Sequence, residues 1–376
     1  LSIALEPLDT LGPDYAKLRR SSGNQLPFCL HEWHLAWCNN LLGTNGGVSE
    51  TPMFYVIRDS LGVAVGVFPF IHSLRRIGML QIVSLEFLGP DPALTEIRGP
   101  LIAVGCESVV LQIVREELAK RQDWDWIQWA STSEPLIDGL RGDARLGFPE
   151  LVPDFMLDLP ATWDEFRGRL KRNIRESLRH CYNSLKRGGH SFELRVTQEP
   201  GVVHDALRRF LELHVKRANM HDAPPHAHRF ASEVSRAFLF DVCTRLAHAG
   251  VFRMFELEID GKIVAARIGF VVGDSLYLYY SGFDPEWRKF SVMTTLVAET
   301  VKHAIKTELK TINLSPTADV AKTRWGPRTI DYYLAFEIRP RFRSRAAHRS
   351  YRYLRTSTQA PARLLRLWIK ARRDWK

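Results

Sequence analysis

One stretch constrains this chain more than any other: Asp274 to Leu314, DSLYLYYSGFDPEWRKFSVMTTLVAETVKHAIKTELKTINL. Ser275–Phe283 is rich in aromatic residues and predicts a strand. Asp284-Pro285-Glu286-Trp287-Arg288-Lys289 predicts a tight polar loop, Ser291 to about Thr307 a helix, and Thr311–Leu314 a second strand. A strand that runs through a basic loop into a helix N-terminus can hold an anion, because the first helical N–H groups lack intrahelical partners and the dipole adds positive charge there. Arg288 and Lys289 precede that end, and the amides of Ser291, Val292, Met293 and Thr294 open the helix. The simpler role of Ser291 is that of a helix cap.

The rest of the chain repeats this order. His31–Leu42 predicts a helix, and Met53–Arg58 and Val63–Phe70 predict strands joined by a turn at Asp59-Ser60-Leu61-Gly62. Leu80–Leu88, a Gly- and Pro-rich link over Gly89–Pro100, a helix over Ser108–Arg121 and a strand over Trp124–Ala130 follow. Later, Val251–Ile259 and Lys262–Val272 flank Asp260-Gly261, a strong hairpin signal. FYVIRDSLGVAVGVFPF and FELEIDGKIVAARIGF both alternate, turn on an Asp-centred loop and alternate again. Order and spacing imply an internal duplication of one α/β unit. Between the copies, Trp163–Lys186 predicts a basic helix stopped by Gly188-Gly189, and Val202–Arg217 predicts another. Lys171, Arg172, Arg175 and Arg179 form either a solvated face or a basic wall for an anionic ligand. The expected division is an N-terminal domain over 1–160, a helical connector over 161–220, a C-terminal domain over 221–340 and a basic tail over 341–376.

Residues 341–376 carry twelve Lys or Arg against the single acid Asp374, a surplus exceeding the whole chain's +10, so the body is close to neutral. Nucleic-acid binding by the body is therefore not expected. In the tail, Ala362–Ala371 predicts a basic amphipathic helix presenting Leu364, Leu365, Trp368 and Ile369. An anionic membrane surface is its first expected partner, ahead of RNA contact or simple disorder. The five cysteines, Cys29, Cys38, Cys106, Cys181 and Cys243, show no C-x-x-C spacing and read as reduced thiols. No apolar run reaches eighteen residues, and the opening LSIALEPLDTLG lacks a leader pattern. A cytoplasmic location, peripheral to a membrane through the tail, is the expectation. HDAPPHAH groups His221, His226 and His228 in a proline-broken loop, so no metal site is expected.

The ordered series LKRNIRESLRHCYNSLKRGG, LELHVKR, FELEIDGKIVAARIGF, LYYSGFDPEWRKFSVMTTLVAETVKHAI and AKTRWG resembles the CelD-like group of the GNAT superfamily of N-acetyltransferases. That group is similar to the Fem-type aminoacyltransferases of peptidoglycan assembly. The resemblance spans residues 26–336 in element order and is strongest over 163–326. It implies an α/β fold of tandem GNAT-like domains, with mixed, mostly antiparallel sheets flanked by helices, and an acyl-CoA groove in the C-terminal domain. The implied activity is an acyl-CoA-dependent N-acyltransferase, with acetyl-CoA or another acyl-CoA as cosubstrate. Its acceptor would be a small-molecule or glycan-precursor amine in envelope or exopolysaccharide metabolism. A Fem-type aminoacyl-tRNA-dependent transferase and a catalytically inactive scaffold stay open beside it.

In such folds the strand matching Ser275–Phe283 diverges from the one matching Thr311–Leu314, and the pantetheine arm enters the split. Gly282 is placed where a bulge would free backbone groups. Arg288, Lys289 and the amides of Ser291–Thr294 are the expected phosphate ligands. His214 and Arg217, one helical turn apart, Tyr280 and Lys322 are the candidates for acceptor binding and proton transfer. Tyr279 and Tyr280 are expected to alternate, so that only one faces the groove. Two departures from the group stand out: Ser291-Val292-Met293 replaces a Ser-Pro-Gly-like turn, and Asn313 stands where relatives often place Asp.

Overall fold

The computed structural model describes residues 1–44, 46–77, 80–140, 149–220 and 227–356. They form two compact units, residues 1–24 with 41–152 and 331–356, and residues 25–40 with 153–330. The first elements are β1 (Ser2–Leu5), α1 (Gly12–Ser21), α2 (His31–Asn40), β2 (Val48–Arg58), β3 (Ala64–Ile77), β4 (Leu80–Phe87) and β5 (Leu101–Ile102). Then come α3 (Glu107–Lys120), β6 (Trp126–Ser133), α4 (Glu134–Leu140), β7 (Glu150–Asp158), α5 (Trp163–Arg169), α6 (Arg172–Arg187), β8 (Phe192–Thr197) and α7 (Val203–Ala218). The last are α8 (Glu233–His248), β9 (Phe252–Ile259), β10 (Lys262–Val272), β11 (Ser275–Phe283), α9 (Val292–Lys306), β12 (Thr311–Asn313), α10 (Val320–Thr323), β13 (Arg328–Ile338) and α11 (Phe342–Thr356). Residues 161–220, read from sequence as a connector, supply α5, α6, β8 and α7 to the second unit.

In the first unit the strands run β1-β2-β3-β4-β6-β13, with β5 on β3. The carboxylate of Asp59 accepts the N–H groups of Leu61 and Val63 and closes the β2–β3 hairpin. β4 and β6, joined through α3, pair in parallel only over Ser84–Glu86 and Trp126–Gln128. One face packs Phe70, Phe87 and Trp129 against Val110, Val114 and Leu118 of α3. On the other, Trp126 and Phe336 meet His348 of α11. The C-terminal segment, expected to be irregular from residue 341, is therefore helical through Thr356, because Ala347 and His348 give it a buried stripe. The expected helix over 362–371 lies outside the described residues. Beyond β4, the Gly- and Pro-rich link returns Arg98 to Glu86 at 3.3 Å, both almost fully buried.

In the second unit the order is β7-β12-β11-β10-β9-β8. Here β9, β10, β11, α9 and β12 reproduce β2, β3, β4, α3 and β6, including a parallel final pair. Asp260 (φ 48°) and Gly261 (φ 81°) make the tight turn between β9 and β10 that needs two left-handed residues. Aromatic contacts set α2 and α8 on one face of the sheet, with Trp33 between Phe238, Phe270 and Tyr279. On the other face α5, α6 and α9 share one core, to which α6 gives Ile174, Leu178 and Leu185. The single helix expected over 163–186 is broken: Leu170 and Lys171 are extended, and Leu170 drops into that core. α7 lies on β11 so closely that a Cβ on Gly282 would stand 2.4 Å from the His214 nitrogen and 2.6 Å from the Leu213 carbonyl carbon.

β7 is tied to β12 by a buried polar bond. Asn313 Nδ2 donates to Asp154 Oδ2 at 2.5 Å, and Asp154 is fully inaccessible. Burial raises the Asp154 carboxyl from 3.8 to about 6, against the opposing pull of the Asn313 bond.

Two predictions follow from this packing. Gly282→Ala drives a methyl into helix backbone, which cannot rotate aside, and costs roughly 3 kcal/mol. Gly201→Ala, where the added atom meets nothing within 4 Å, serves as the neutral control in denaturant unfolding. For Asp154 the folded carboxyl keeps its proton to about pH 6 and the unfolded one loses it near 3.8. The stability linked to that proton is complete below the lower value and is lost as pH rises through the upper one. Relative to Asp154→Asn, the wild-type protein loses roughly 2 kcal/mol between pH 4 and 7. A pH-independent difference between the two unfolding curves would refute the assignment.

Candidate functional site

The site is built where β11 and β12 part. Their parallel pairing covers only Ser275–Tyr277 against Thr311–Asn313, and β11 then continues through Phe283. Just past the parting, β10 residues Arg267 and Gly269 pair with Ser281 and Leu278, so Tyr279 and Tyr280 together oppose Ile268. This is a β-bulge, which disrupts the ladder and re-aims side chains. It sits two residues before Gly282, which pairs in register with Ala266. The role of Gly282 is the close approach of α7.

The bulge also breaks the alternation expected for the tyrosines. Their rings lie 4.5 Å apart on the same face. Tyr279 is buried against Phe28, Trp33 and Phe270. Tyr280 is partly exposed and stands edge-on to His214 and Phe230.

α7 brings two further candidates to the same place. His214 Nδ1 is 3.1 Å from the Ser281 carbonyl oxygen, and since that oxygen only accepts, the ring carries its proton on Nδ1. Burial lowers its pKa to about 4, so the imidazole is neutral at physiological pH and a weak base. One turn later, Arg217 donates to Ser281 Oγ at 2.8 Å and lies 5.8 Å from the Phe283 ring. Burial lowers the pKa of its guanidinium. His214, Arg217, Tyr280 and Gly282 thus converge on the segment after the bulge. Lys322 does not join them through its ammonium. Its Nζ donates to Ser315 Oγ at 2.9 Å and to the Pro316 carbonyl at 2.6 Å. It holds the turn after β12, where Ser315 (φ 71°) and Thr317 (φ 77°) are left-handed.

At the head of α9, residues Pro285–Phe290 form a 3-10 turn anchored by Asp284, whose carboxylate accepts the Glu286 N–H and pairs with Lys216 at 2.7 Å. Arg288 and Lys289 are exposed in its last turn, with Lys289 Nζ 5.0 Å from the Phe290 ring. Ser291 is left-handed (φ 54°, ψ 42°) and makes no side-chain capping bond, so the expected cap is replaced by a sharp backbone reversal. Its hydroxyl bonds instead to the Cys181 thiol, whose pKa burial raises. Val292 is buried in the core, while Met293 and Thr294 are half-buried. Arg324 was missed from sequence. Its guanidinium donates to Ser177 Oγ at 2.7 Å, on the same edge of α6 as Cys181, which bonds to Ser291. The sequence signal for it is the cation inside AKTRWG, two residues after Lys322; Trp325 is core.

His221 and His226 lie outside the described residues, and the His228 ring is 5.7 Å from His214. No group of three metal-ligating side chains occurs among the described residues. No helix among the described residues is long and apolar enough to cross a membrane.

Residues 172–323 match the family model of an acetyltransferase (GNAT) domain. A search of curated proteins finds no significant match. Among solved structures the chain is similar to FemX, with 12% identity, a TM-score of 0.60 and coverage of 90% of this chain and 98% of that one. It is also similar to a conserved protein of unknown function from Bacteroides thetaiotaomicron, with 14% identity, a TM-score of 0.55 and coverage of 90% and 100%. A third likeness is the C-terminal domain of a putative lysylphosphatidylglycerol synthetase from Agrobacterium fabrum, with 14% identity, a TM-score of 0.54 and coverage of 92% and 97%. The matched segment holds the parted strands, the bulge and the α9 N-terminus: the chain carries a GNAT acetyltransferase domain, and its likeness to FemX is one of fold.

Proposed function

We propose that the second unit transfers an acyl group from an acyl-CoA to an amine. The observation that carries this reading is the parallel β11–β12 pair that parts after Tyr277 beside a bulge, with the α9 N-terminus following β11 across the Pro285–Phe290 turn. The opening amides of α9, Ser291 to Thr294, with Arg288 and Lys289, would hold the phosphates. Where β11 runs on beyond its pairing with β12, its edge would meet the amides of the pantetheine arm and aim the thioester at the bulge, where backbone N–H groups would stabilise the developing oxyanion. The amine nitrogen then attacks the carbonyl carbon, the C–S bond breaks, and the sulfur takes a proton from Tyr280, which recovers one from solvent. A nitrogen proton leaves to solvent. His214 is too weak a base to remove it at neutral pH, so the amine must arrive neutral. His214 and Arg217 shape the acceptor side, and Lys322 keeps the turn after β12 in place.

The acceptor would be a small-molecule or glycan-precursor amine of envelope or exopolysaccharide metabolism, met in the cytoplasm or at the membrane surface through the basic tail. A second reading, aminoacyl transfer from a charged tRNA, is supported by the likeness to FemX over 98% of that chain. Calorimetric titration separates the two. Acetyl-CoA should bind the wild type, and Arg288→Ala with Lys289→Ala should weaken binding at least tenfold. Tyr280→Phe should lower kcat with little change in KM. Absence of acetyl-CoA binding by the folded protein would defeat the acyl-CoA reading and leave the tRNA one.

A further inference from the structure

A second concave site lies in the same unit, away from the parted strands. A cleft of about 660 Å³ is bounded by α5, α6 and α9, and its walls include Trp163, Arg167, Arg175, Arg179, Tyr182 and Lys302. Its floor is pinned. Lys302 Nζ sits 5.2 Å from the Trp163 ring and 4.7 Å from the Tyr182 ring, and bonds Glu299 at 2.8 Å. Tyr182 donates to the same carboxylate oxygen at 2.6 Å. The α9 N-terminus is served by a different edge of α6, since Ser177 bonds Arg324 and Cys181 bonds Ser291. Arg175 and Arg179 each stand two residues from those positions, about 200° round the helix.

The simplest alternative is a solvated basic face. The pairing of the neighbouring arginines argues against it. Arg169 and Arg172, outside the cleft, each bond a carboxylate four residues away, Glu165 and Glu176. Arg175 and Arg179, one turn apart within the cleft, join no ion pair among the described residues. Arg175 gives one N–H to the Gly168 carbonyl at 3.3 Å, which orients it and leaves its other donors available. Arg167 is held by Asp164 at 3.3 Å at the rim. Two like charges side by side on a helix repel unless an anion sits between them. Guanidinium forks match phosphate oxygens bidentately, and the volume is that of a small-molecule pocket.

We infer that this cleft binds a diphosphate-bearing small molecule through Arg175 and Arg179, independently of the acyl-CoA site. The probes are inorganic pyrophosphate and ADP, titrated calorimetrically into the full chain at low salt. Pyrophosphate binding should fall at least tenfold in Arg175→Ala with Arg179→Ala and in the corresponding double Gln variant. It should be unchanged in Arg288→Ala with Lys289→Ala. Acetyl-CoA binding in the Arg175/Arg179 variants should match wild type, which separates failure here from failure of the acyl-CoA reading. Tighter binding of ADP than of pyrophosphate would identify a nucleotide as the source, and equal binding a free diphosphate. The inference is overturned by wild-type pyrophosphate affinity in both folded double variants, by loss only in the Arg288/Lys289 variant, or by no binding to wild type. It is equally overturned if an RNA oligonucleotide binds at this face and pyrophosphate does not.

Discussion

Three residues of parallel pairing between β11 and β12 set the conditions for everything at the site. A longer ladder would close the sheet and leave no edge for a ligand; a shorter one would not hold β12 beside β11 at all. The crossover through α9 enforces the parallel direction, because two parallel neighbours need a connection of a dozen or more residues. The same crossover opens with a helix N-terminus, which the chain reaches from the end of β11 through the Pro285–Phe290 turn. Site and scaffold are therefore one device, and the bulge at Tyr279–Tyr280 belongs to it. By turning both rings to one face, it leaves the strand edge to backbone chemistry.

Much of this was legible in the residues. Alternation and Asp-Gly marked the hairpins, and β9 to β12 fell within a few residues of their expected bounds. What escaped had no local signature. The pattern YLYYSGF alternates plausibly through the bulge, since one inserted residue changes no composition. Phe166, Leu170 and Ile174 repeat every four residues straight across the break between α5 and α6, so periodicity reported one helix where tertiary burial of Leu170 made two. Asp154 left a faint mark, a lone acid in the apolar strand LVPDFML, yet only the fold pairs it with Asn313. The left-handed Ser291 contradicts its own cap propensity, because the turn before α9 demands a backbone reversal there.

Electrostatics in the second unit divide by depth. The deepest ionisable groups near the parted strands, His214 and Asp154, have their pKa values pushed by burial toward the neutral form. Asp284, equally deep, stays coupled to Lys216 and holds the turn ahead of α9. Exposed positive charge is left at the periphery, on Arg288 and Lys289 at one end of α9 and on Arg175 and Arg179 along α6. A charged ligand approaching this unit would meet cations first and low-polarity surface second, an order that would favour an anionic handle with an uncharged reacting end.

The buried Arg98–Glu86 pair casts the duplicated architecture in a different light. Glu86 is the last residue of β4 paired with β6, the counterpart of Tyr277, and β4 ends one residue later, whereas β11 runs on for six. The first copy has no diverging arm, and its own chain folds back to put a guanidinium against the strand end. It is self-liganded. The two copies therefore end the same strand in opposite ways: one closes it with a buried ion pair from its own chain, and the other carries it on past its partner.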